Sequence, residues 1–302
     1  MKKSIALTFL AALLCTGLAQ AQDAFKGSKE IRTVETGQPA LDLVQFGSSY
    51  VFKSDLDNHG SFGDQGVLQN YFEYSHRFLL TGKFYFRAGV AYERFDFSST
   101  SAPVPNHLQS VAGIIGIDYM IGNDVGAFLQ IRPGFYTENT FDEDSFDFPI
   151  TLGRAFVLQP DKLFIFVGVN AAFLRGEYPI LPFAGIIYRP NEQWNIYGVL
   201  PEPKITYSFS KKLAVYAGGQ LVGGSYRTDE NNGVVPHKLS NAQVDYSEYR
   251  AGLGLEYHPC DQVSVLLGGG YAFLRRVNFD RAGQEYDADP ALYVRASFRA
   301  EF

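Results

Sequence analysis

Cysteine is nearly missing from this chain: Cys15 and Cys260 are the only two in 302 residues. Cys15 falls in the apolar N-terminal stretch, which leaves Cys260 alone in the remainder. One thiol makes no intramolecular disulfide, so there is no disulfide framework. Cys260 stands in a His258-Pro259-Cys260-Asp261 turn and reads as an incidental turn residue. Basic clusters are also lacking. With 26 Lys and Arg against 32 Asp and Glu, the formal net charge is −6, which argues against nucleic-acid binding. Beyond residue 21 no run approaches 18 continuous apolar residues, so a helical membrane span is excluded. Helical periodicity is scarce as well, because few windows place apolar residues at i, i+3, i+4 and i+7.

The first residues have a different character. A basic Met1-Lys2-Lys3 precedes a mostly apolar stretch from Ile5 to Leu18 and a small-x-small site, Ala19-Gln20-Ala21. This is the pattern of a secretory signal peptide cleaved before Gln22. Lipidation at Cys15 would require a small residue before it, where Leu14 stands. Cleavage of residues 1–21 from the 302 leaves 281, and loss of Lys2 and Lys3 moves the charge from −6 to −8. Residues 22–40 read as a polar periplasmic lead. Its Thr33-Val34 pair faintly resembles the energy-coupling box of siderophore receptors, but the chain is too short for their plug and barrel. Residues 41–302 form one domain.

That domain alternates with a period of two. Leu292, Val294, Ala296, Phe298, Ala300 and Phe302 share one side of the last segment, with Tyr293, Arg295, Ser297, Arg299 and Glu301 on the other. Ser247–His258, Phe84–Glu93 and Val125–Arg132 repeat the pattern, the last with Val125, Ala127, Leu129 and Ile131 together. Leu163–Leu174 is apolar on both sides, as expected of a strand whose inner face touches packed material. Aromatics reach 15%, with 26 Phe, 19 Tyr and 30 Gly, a composition that suits curved sheets and membrane interfaces. The face opposite the apolar one collects Glu73, Arg77, Arg87, Glu93, Asp118, Arg132, Glu248, Arg250, Glu256, Arg295, Arg299 and Glu301.

Connections alternate in kind. Short turns fall near 80–83, 122–124, 159–162, 190–193, 210–212 and 260–262, while longer polar segments occupy 55–65, 98–106, 138–145, 228–243 and 280–289. Short turns at one end and long loops at the other is the asymmetry of bacterial outer-membrane barrels. Reading Trp194–Leu200 and Ile205–Phe209 as a short hairpin about Pro201-Glu202-Pro203 gives fourteen strands. Twelve result if that hairpin folds inward. The expectation is an all-β, transmembrane, antiparallel up-and-down barrel of about fourteen strands, preceded by the cleaved signal peptide. A secreted soluble barrel or sandwich is the structural rival.

The terminal strand ending on Phe302 and the stretch Tyr188-Arg189-Pro190 through Pro201-Glu202-Pro203-Lys204-Ile205-Thr206-Tyr207 carry a resemblance. The chain resembles uncharacterised Gram-negative outer-membrane β-barrel proteins of the domain-of-unknown-function type. The resemblance implies residence in the cell outer membrane and contact with its lipid and lipopolysaccharide. It also implies recognition by the barrel-assembly machinery through Phe302, Phe298 and Tyr293. It brings no assigned activity.

Chemistry-bearing constellations are few. His107 and Ser110 are three apart, which in a strand sends them to opposite faces, a poor base and nucleophile. Asp55–Gly60 matches the front of a calcium loop, but Gly66 stands where a bidentate Glu is needed, so a polar loop is the better reading. Asp142, Glu143, Asp144 and Asp147 read as solvated loop carboxylates. No catalytic, metal or cofactor residue is assigned, and an enzyme is not expected. The lumen-lining candidates are Arg87, Glu93, Arg132, Glu248, Arg250, Glu256, Arg295 and Arg299. Their mixed signs fit two accounts equally: an aqueous path, or a pairing network that fills the interior. The functional expectation is a passive channel or binding barrel for small solutes, hydrophobic ones among them. The alternatives are a closed-lumen structural or surface-interaction barrel and, behind it, a lipid hydrolase.

Overall fold

The computed structural model describes residues 40–121, 124–160, 162–175, 178–231 and 233–302. The expected signal peptide and all but the last residue of the polar lead lie outside them. The described chain is strand almost throughout: β1 (Asp42–Asp57), β2 (Ser61–Thr81), β3 (Phe84–Phe97), β4 (His107–Ile121), β5 (Asp124–Ile131) and β6 (Gly134–Thr137). There follow β7 (Phe146–Asp147), β8 (Ile150–Gln159), β9 (Leu163–Ala171), β10 (Ile180–Tyr188), β11 (Trp194–Gly198) and β12 (Lys204–Ser208). The last are β13 (Leu213–Arg227), β14 (Gln243–Cys260), β15 (Val263–Phe279), β16 (Gln284–Ala288) and β17 (Ala291–Glu301). Three pairs of these are single strands interrupted at Pro133, Pro149 and Pro290, where proline has no N–H to offer a ladder. The wall therefore has fourteen strands, the Pro201–Pro203 hairpin included.

Neighbours pair antiparallel in chain order, and β17 returns to β1 in unbroken register from Leu43↔Glu301 to Val51↔Tyr293. Beyond the strand ends, Leu41 N–H donates to Phe302 O at 2.6 Å and Phe302 N–H to Asp42 O at 3.0 Å. Closure leaves no edge, which is what a sheet in lipid requires. The wall is strongly tilted. The register row that starts at Asp42, at the turn end, runs through His76, Ala88, Ile115, Ile131, Ile150 and Ala171 to Ile180, at the loop end. The outward side is apolar: Leu253 is 68% exposed, Leu292 60% and Leu267 56%. Tyr188, Trp194, Phe209 and Tyr257 ring the turn end, and Phe146, Phe148 and Phe173 lie toward the loops. A soluble barrel would carry polar groups there, so the wall is that of a membrane-spanning barrel.

Two local expectations change. The segment 55–65 is a tight hairpin, with only Asn58–Gly60 between β1 and β2. Gly60 N–H donates to Asp57 Oδ1 at 3.1 Å, and His59 takes a left-handed φ of 57°. Val125 turns out of the face it was expected to share with Leu129 and Ile131. A bulge between Tyr119 and Met120 shifts the register, and Val125 packs inward beside Met120 and Phe128.

The larger departure is in β13 and β14. β13 follows β12 only as far as Lys204↔Gly218, and its far end instead bridges β6 at Arg227↔Thr137. All residues from Gln220 to Tyr226 and from Gln243 to Glu248 are buried, on both faces. The loop-end half of this hairpin thus parts from β12 and bends in over the interior, while β14 stays paired with β15 as far as Asp245↔Asn278. Three glycines in register, Gly218↔Gly252↔Gly270, mark the line where the strands turn. A Cβ on Gly252 would lie 2.4 Å from Gly269 O, and one on Gly270 would lie 2.1 Å from Ala251 O. Side chains are excluded there because neighbouring backbone occupies their space.

The inward bend divides the apolar interior. On one side Phe95 packs edge-on against Tyr226 and Tyr246, with Val51, Leu108, Val222 and Phe279 around them. On the other, Leu221 meets Val199, Tyr197, Phe183, Phe166, Phe128 and Met120.

A reciprocal clasp joins two loops outside the wall. Asp229 Oδ1 accepts from Asn139 N–H (3.1 Å) and Thr140 N–H (2.9 Å), and Asp229 N–H donates to Glu138 Oε2 at 3.1 Å. Burial pushes the Asp229 carboxyl up, but the Asn139 and Thr140 amides outweigh it and hold it below the ordinary carboxylate range. Its contribution is therefore present above the unfolded-state pKa and is lost as pH falls through the lower folded value. Limited proteolysis is expected to nick 138–145 and 228–242 faster in strong acid, and Asp229→Asn should bring that sensitivity to neutral pH. Gly270→Val is expected to prevent compact folding, read as loss of the heat-modifiable band on semi-native gels.

Candidate functional site

The polar interior has two tiers. Toward the turn end, Asp118 lies between two arginines: Arg77 Nε is 2.7 Å from Asp118 Oδ2, and Arg87 Nε is 3.0 Å from the same oxygen. Arg77 Nη1 also donates to Ala40 O (2.9 Å) and Arg87 Nη1 to Gln130 Oε1 (3.1 Å). All of these side chains are buried. They meet because β2, β3, β4 and β5 bring their inward residues into neighbouring rows, with Arg77↔Arg87 and Arg87↔Gly116 in register. Gly116 gives room to the neighbouring backbone, since a Cβ there would lie 2.9 Å from Leu129 O.

At mid-height a second tier spans the barrel. Arg132 Nη2 lies 2.8 Å from Glu73 Oε2, and Gln69 Nε2 donates to Glu93 Oε1 at 2.7 Å. Arg250, on the inward-bent hairpin, pairs with Glu248 and reaches the far wall, where Nη1 donates to Ser49 Oγ at 2.8 Å and to Gln69 Oε1 at 3.2 Å. Its guanidinium also lies 5.2 Å from the Tyr293 ring centre, a cation–π contact. Tyr246 O–H donates to Glu248 Oε2. Two arginines and three glutamates thus meet in ion pairs and hydrogen bonds across the middle, and no ring of one sign lines it.

Between this tier and the turn end lies a polar vestibule of about 90 Å³. Lys204 Nζ and His258 Nε2 are each 3.3 Å from Glu256, one on either carboxylate oxygen. Arg295 Nη1 is 3.1 Å from Glu202 Oε1, and Arg299 pairs with Glu301. Opposite it, across the foot of β13, is the apolar compartment. Phe128, Phe166 and Phe183 stack at centroid spacings of 5.9 Å, with interplanar angles of 18° and 10°. Gly153 and Gly168 lie beneath them: a Cβ on Gly168 would be 2.1 Å from the Phe183 ring. Glycine on the wall is what lets the rings lie flat.

All eight lumen-lining candidates point inward. Arg87, Glu93, Arg132, Glu248 and Arg250 belong to the two tiers, and Glu256, Arg295 and Arg299 belong to the vestibule. Of the three residues named for assembly, Phe298 and Phe302 face outward, whereas Tyr293 is buried under Arg250. His107 Nε2 meets Asn139 Oδ1 at 2.5 Å and Ser110 is buried inside, so the two form no base–nucleophile pair. The acidic loop is used structurally: Asp142 caps the turn at Glu143–Ser145, and Asp147 Oδ1 and Oδ2 accept from Phe173 and Leu174 N–H. Among the described residues no group of three or more His, Cys, Asp or Glu is placed to hold a metal ion.

Sequence reasoning missed the neutral partners Ser49, Gln69, Gln130 and Gln220, whose parity was legible but whose role depends on register. It also missed Arg275, buried where Nη1 donates to Gln65 O (3.3 Å) and Nη2 to Asp289 O (3.0 Å). Arg175, in the loop after β9, was missed too. Burial lowers its pKa to about 10, and Nη2 donates to Asn170 Oδ1 at 2.6 Å.

Asp118 is the carboxylate shared by two buried arginines. Asp118→Leu is therefore expected to destabilise the barrel by about 3–5 kcal/mol, read from urea midpoints in lipid vesicles. Adding Arg77→Met and Arg87→Met should recover most of that loss. No family model and no curated protein matches the chain. Solved structures similar in outline include an outer-membrane channel from Pseudomonas putida F1, with 8% identity, 90% of this chain and 100% of that one covered, and a TM-score of 0.45. The translocator domain of the autotransporter NalP from Neisseria meningitidis follows at 11% identity, 100% and 98% coverage, and a TM-score of 0.41. The toluene transporter TodX from Pseudomonas putida stands at 11% identity, 91% and 95% coverage, and a TM-score of 0.37.

Proposed function

We propose that the protein is an outer-membrane barrel that binds small apolar solutes and conducts them passively, and is not an open pore for ions or sugars. Its long loops face outward and both strand ends face the periplasm. That orientation rests on the turn and loop asymmetry and on the even strand number. The observation that carries the reading is the stacked Phe128–Phe166–Phe183 row, held inside the wall beside a mid-height section closed by ion pairs. An ion entering the vestibule meets Arg250 and Glu248 already paired and hydrogen-bonded, and separating them costs more than water returns. An aromatic solute meets ring faces and apolar side chains, where offset stacking and burial favour it. Buried ion pairs stabilise a fold no better than apolar packing of the same volume would, and often less. Their use in the middle of a wide barrel fits an ionic barrier beside an apolar compartment.

A second reading, a closed structural barrel, is favoured by the loop-end core around Phe95, Tyr226 and Tyr246. Two measurements on refolded protein separate them. Planar bilayers should show no stable ion-conducting steps, and naphthalene should bind saturably, at least about tenfold more weakly to Phe166→Ala/Phe183→Ala, a loss of the size two truncated rings imply. Conductance steps without naphthalene binding would sink the proposal, and absence of both would leave the structural barrel.

A further inference from the structure

The outward face of β17, β1, β2 and β3 carries a trough that neither the interior network nor the aromatic compartment uses. Strand register builds it. One row places Phe298, Phe46, Phe72 and Tyr92 side by side, an aromatic ridge in which Phe46 and Phe298 stack at 5.0 Å. Two residues further toward the loops, the next outward row is small and polar: Ala296, Ser48 and Asn70. Beyond it a second ridge rises, Val294, Tyr50 and Leu68. The step between the aromatic ridge and the floor leaves an open groove of about 540 Å³ along Phe46, Phe72 and Phe298.

Three properties of the trough limit what can fill it. At its lower end it meets Leu267, the register neighbour of Ala296. It opens at its upper end on Arg94, the neighbour of Asn70, whose Nε donates to Asp96 Oδ1 at 2.8 Å and whose guanidinium is only partly covered. Because register rows climb toward the loops from β1 to β4, that upper end lies at the loop-side margin of the apolar belt. Finally, the side chains of Ser48 and Asn70 make no hydrogen bond among the described residues, although they face hydrocarbon. Polar groups left so are costly there, and plain lipid tails do not relieve them. The row therefore runs from apolar through hydrogen-bonding to the half-exposed guanidinium of the Arg94–Asp96 pair along one line.

We propose that this trough seats one acyl chain of an anionic membrane lipid. The chain lies against Phe46 and Phe298, its ester or hydroxyl oxygen meets Ser48 and Asn70, and its headgroup phosphate meets Arg94. The same gradient does not suit a second barrel, whose matching face would set Arg94 against apolar ridge.

The test is native mass spectrometry of the intact barrel released from nanodiscs of equal phosphatidylglycerol and phosphatidylcholine, with heat-modifiable migration confirming each variant folds. Wild type should retain one phosphatidylglycerol over phosphatidylcholine by about fivefold, the scale of one exposed ion pair. Ala296→Phe, which fills the floor from outside, should lose the bound lipid. Ser48→Leu serves as the second variant if Ala296→Phe does not fold. Arg94→Gln should keep a lipid but lose the headgroup preference. Unchanged occupancy in the filled variant, or unchanged preference in Arg94→Gln, overturns the proposal. So does a dimer that Ala296→Phe dissolves, which would assign the trough to a second copy.

Discussion

Every feature of this molecule depends on one constraint: a sheet immersed in lipid must give each backbone amide a partner within the protein. The β1–β17 seam meets that demand with uninterrupted pairing from Leu43 to Val51, and the terminal backbone groups of Leu41, Asp42 and Phe302 extend it. Proline shows the same rule from the other side. Pro133, Pro149 and Pro290 each stand at a break in a strand, where a missing donor does least harm.

Closure with fourteen strands creates a second problem, because a wall of that circumference surrounds more space than side chains alone readily fill. The chain answers it by turning part of the wall inward. The glycine line Gly218–Gly252–Gly270 lets β13 and β14 bend in over the interior while β14 keeps its pairing with β15. The hairpin then supplies apolar packing toward Phe95, apolar packing toward Phe166 and, through Arg250, the hydrogen bonds that reach β1 and β2. The division into an ionic tier and an aromatic compartment is therefore a product of backbone path as much as of side-chain identity.

Much of this was legible in the residues. The period-two pattern separates Leu292 and Val294 from Arg295 and Arg299 without any coordinates, and the Pro201-Glu202-Pro203 turn supports fourteen strands. The apolar inner face of Leu163–Leu174 foreshadows Phe164 and Phe166 in packed surroundings. What parity does not carry is register. Nothing in the sequence aligns Gly218 with Gly252 and Gly270, or sets Ser48 beside Asn70, because those are relations between strands distant along the chain. The same gap hid the roles of Ser49 and Gln69, which look like ordinary inward polar residues until Arg250 reaches them. The hairpin at 55–65 was misread as a loop because its polar composition outweighed its alternation.

The bridge between Arg227 and Thr137 gives the barrel two circumferences. At the loop end β13 bridges β6 at one position, and β8 to β12 lie outside that shortcut as an insert, in which β11 and β12 are only five residues each. Within it β11 and β12 have fewer ladder bonds to break than the long strands of the ring, so they are the part of the wall expected to open most readily. The aromatic compartment rests against the insert, and the loop-end core rests within the ring. Opening of β11 and β12 would thus reach the apolar compartment beside Tyr197 while the loop-end core stayed closed.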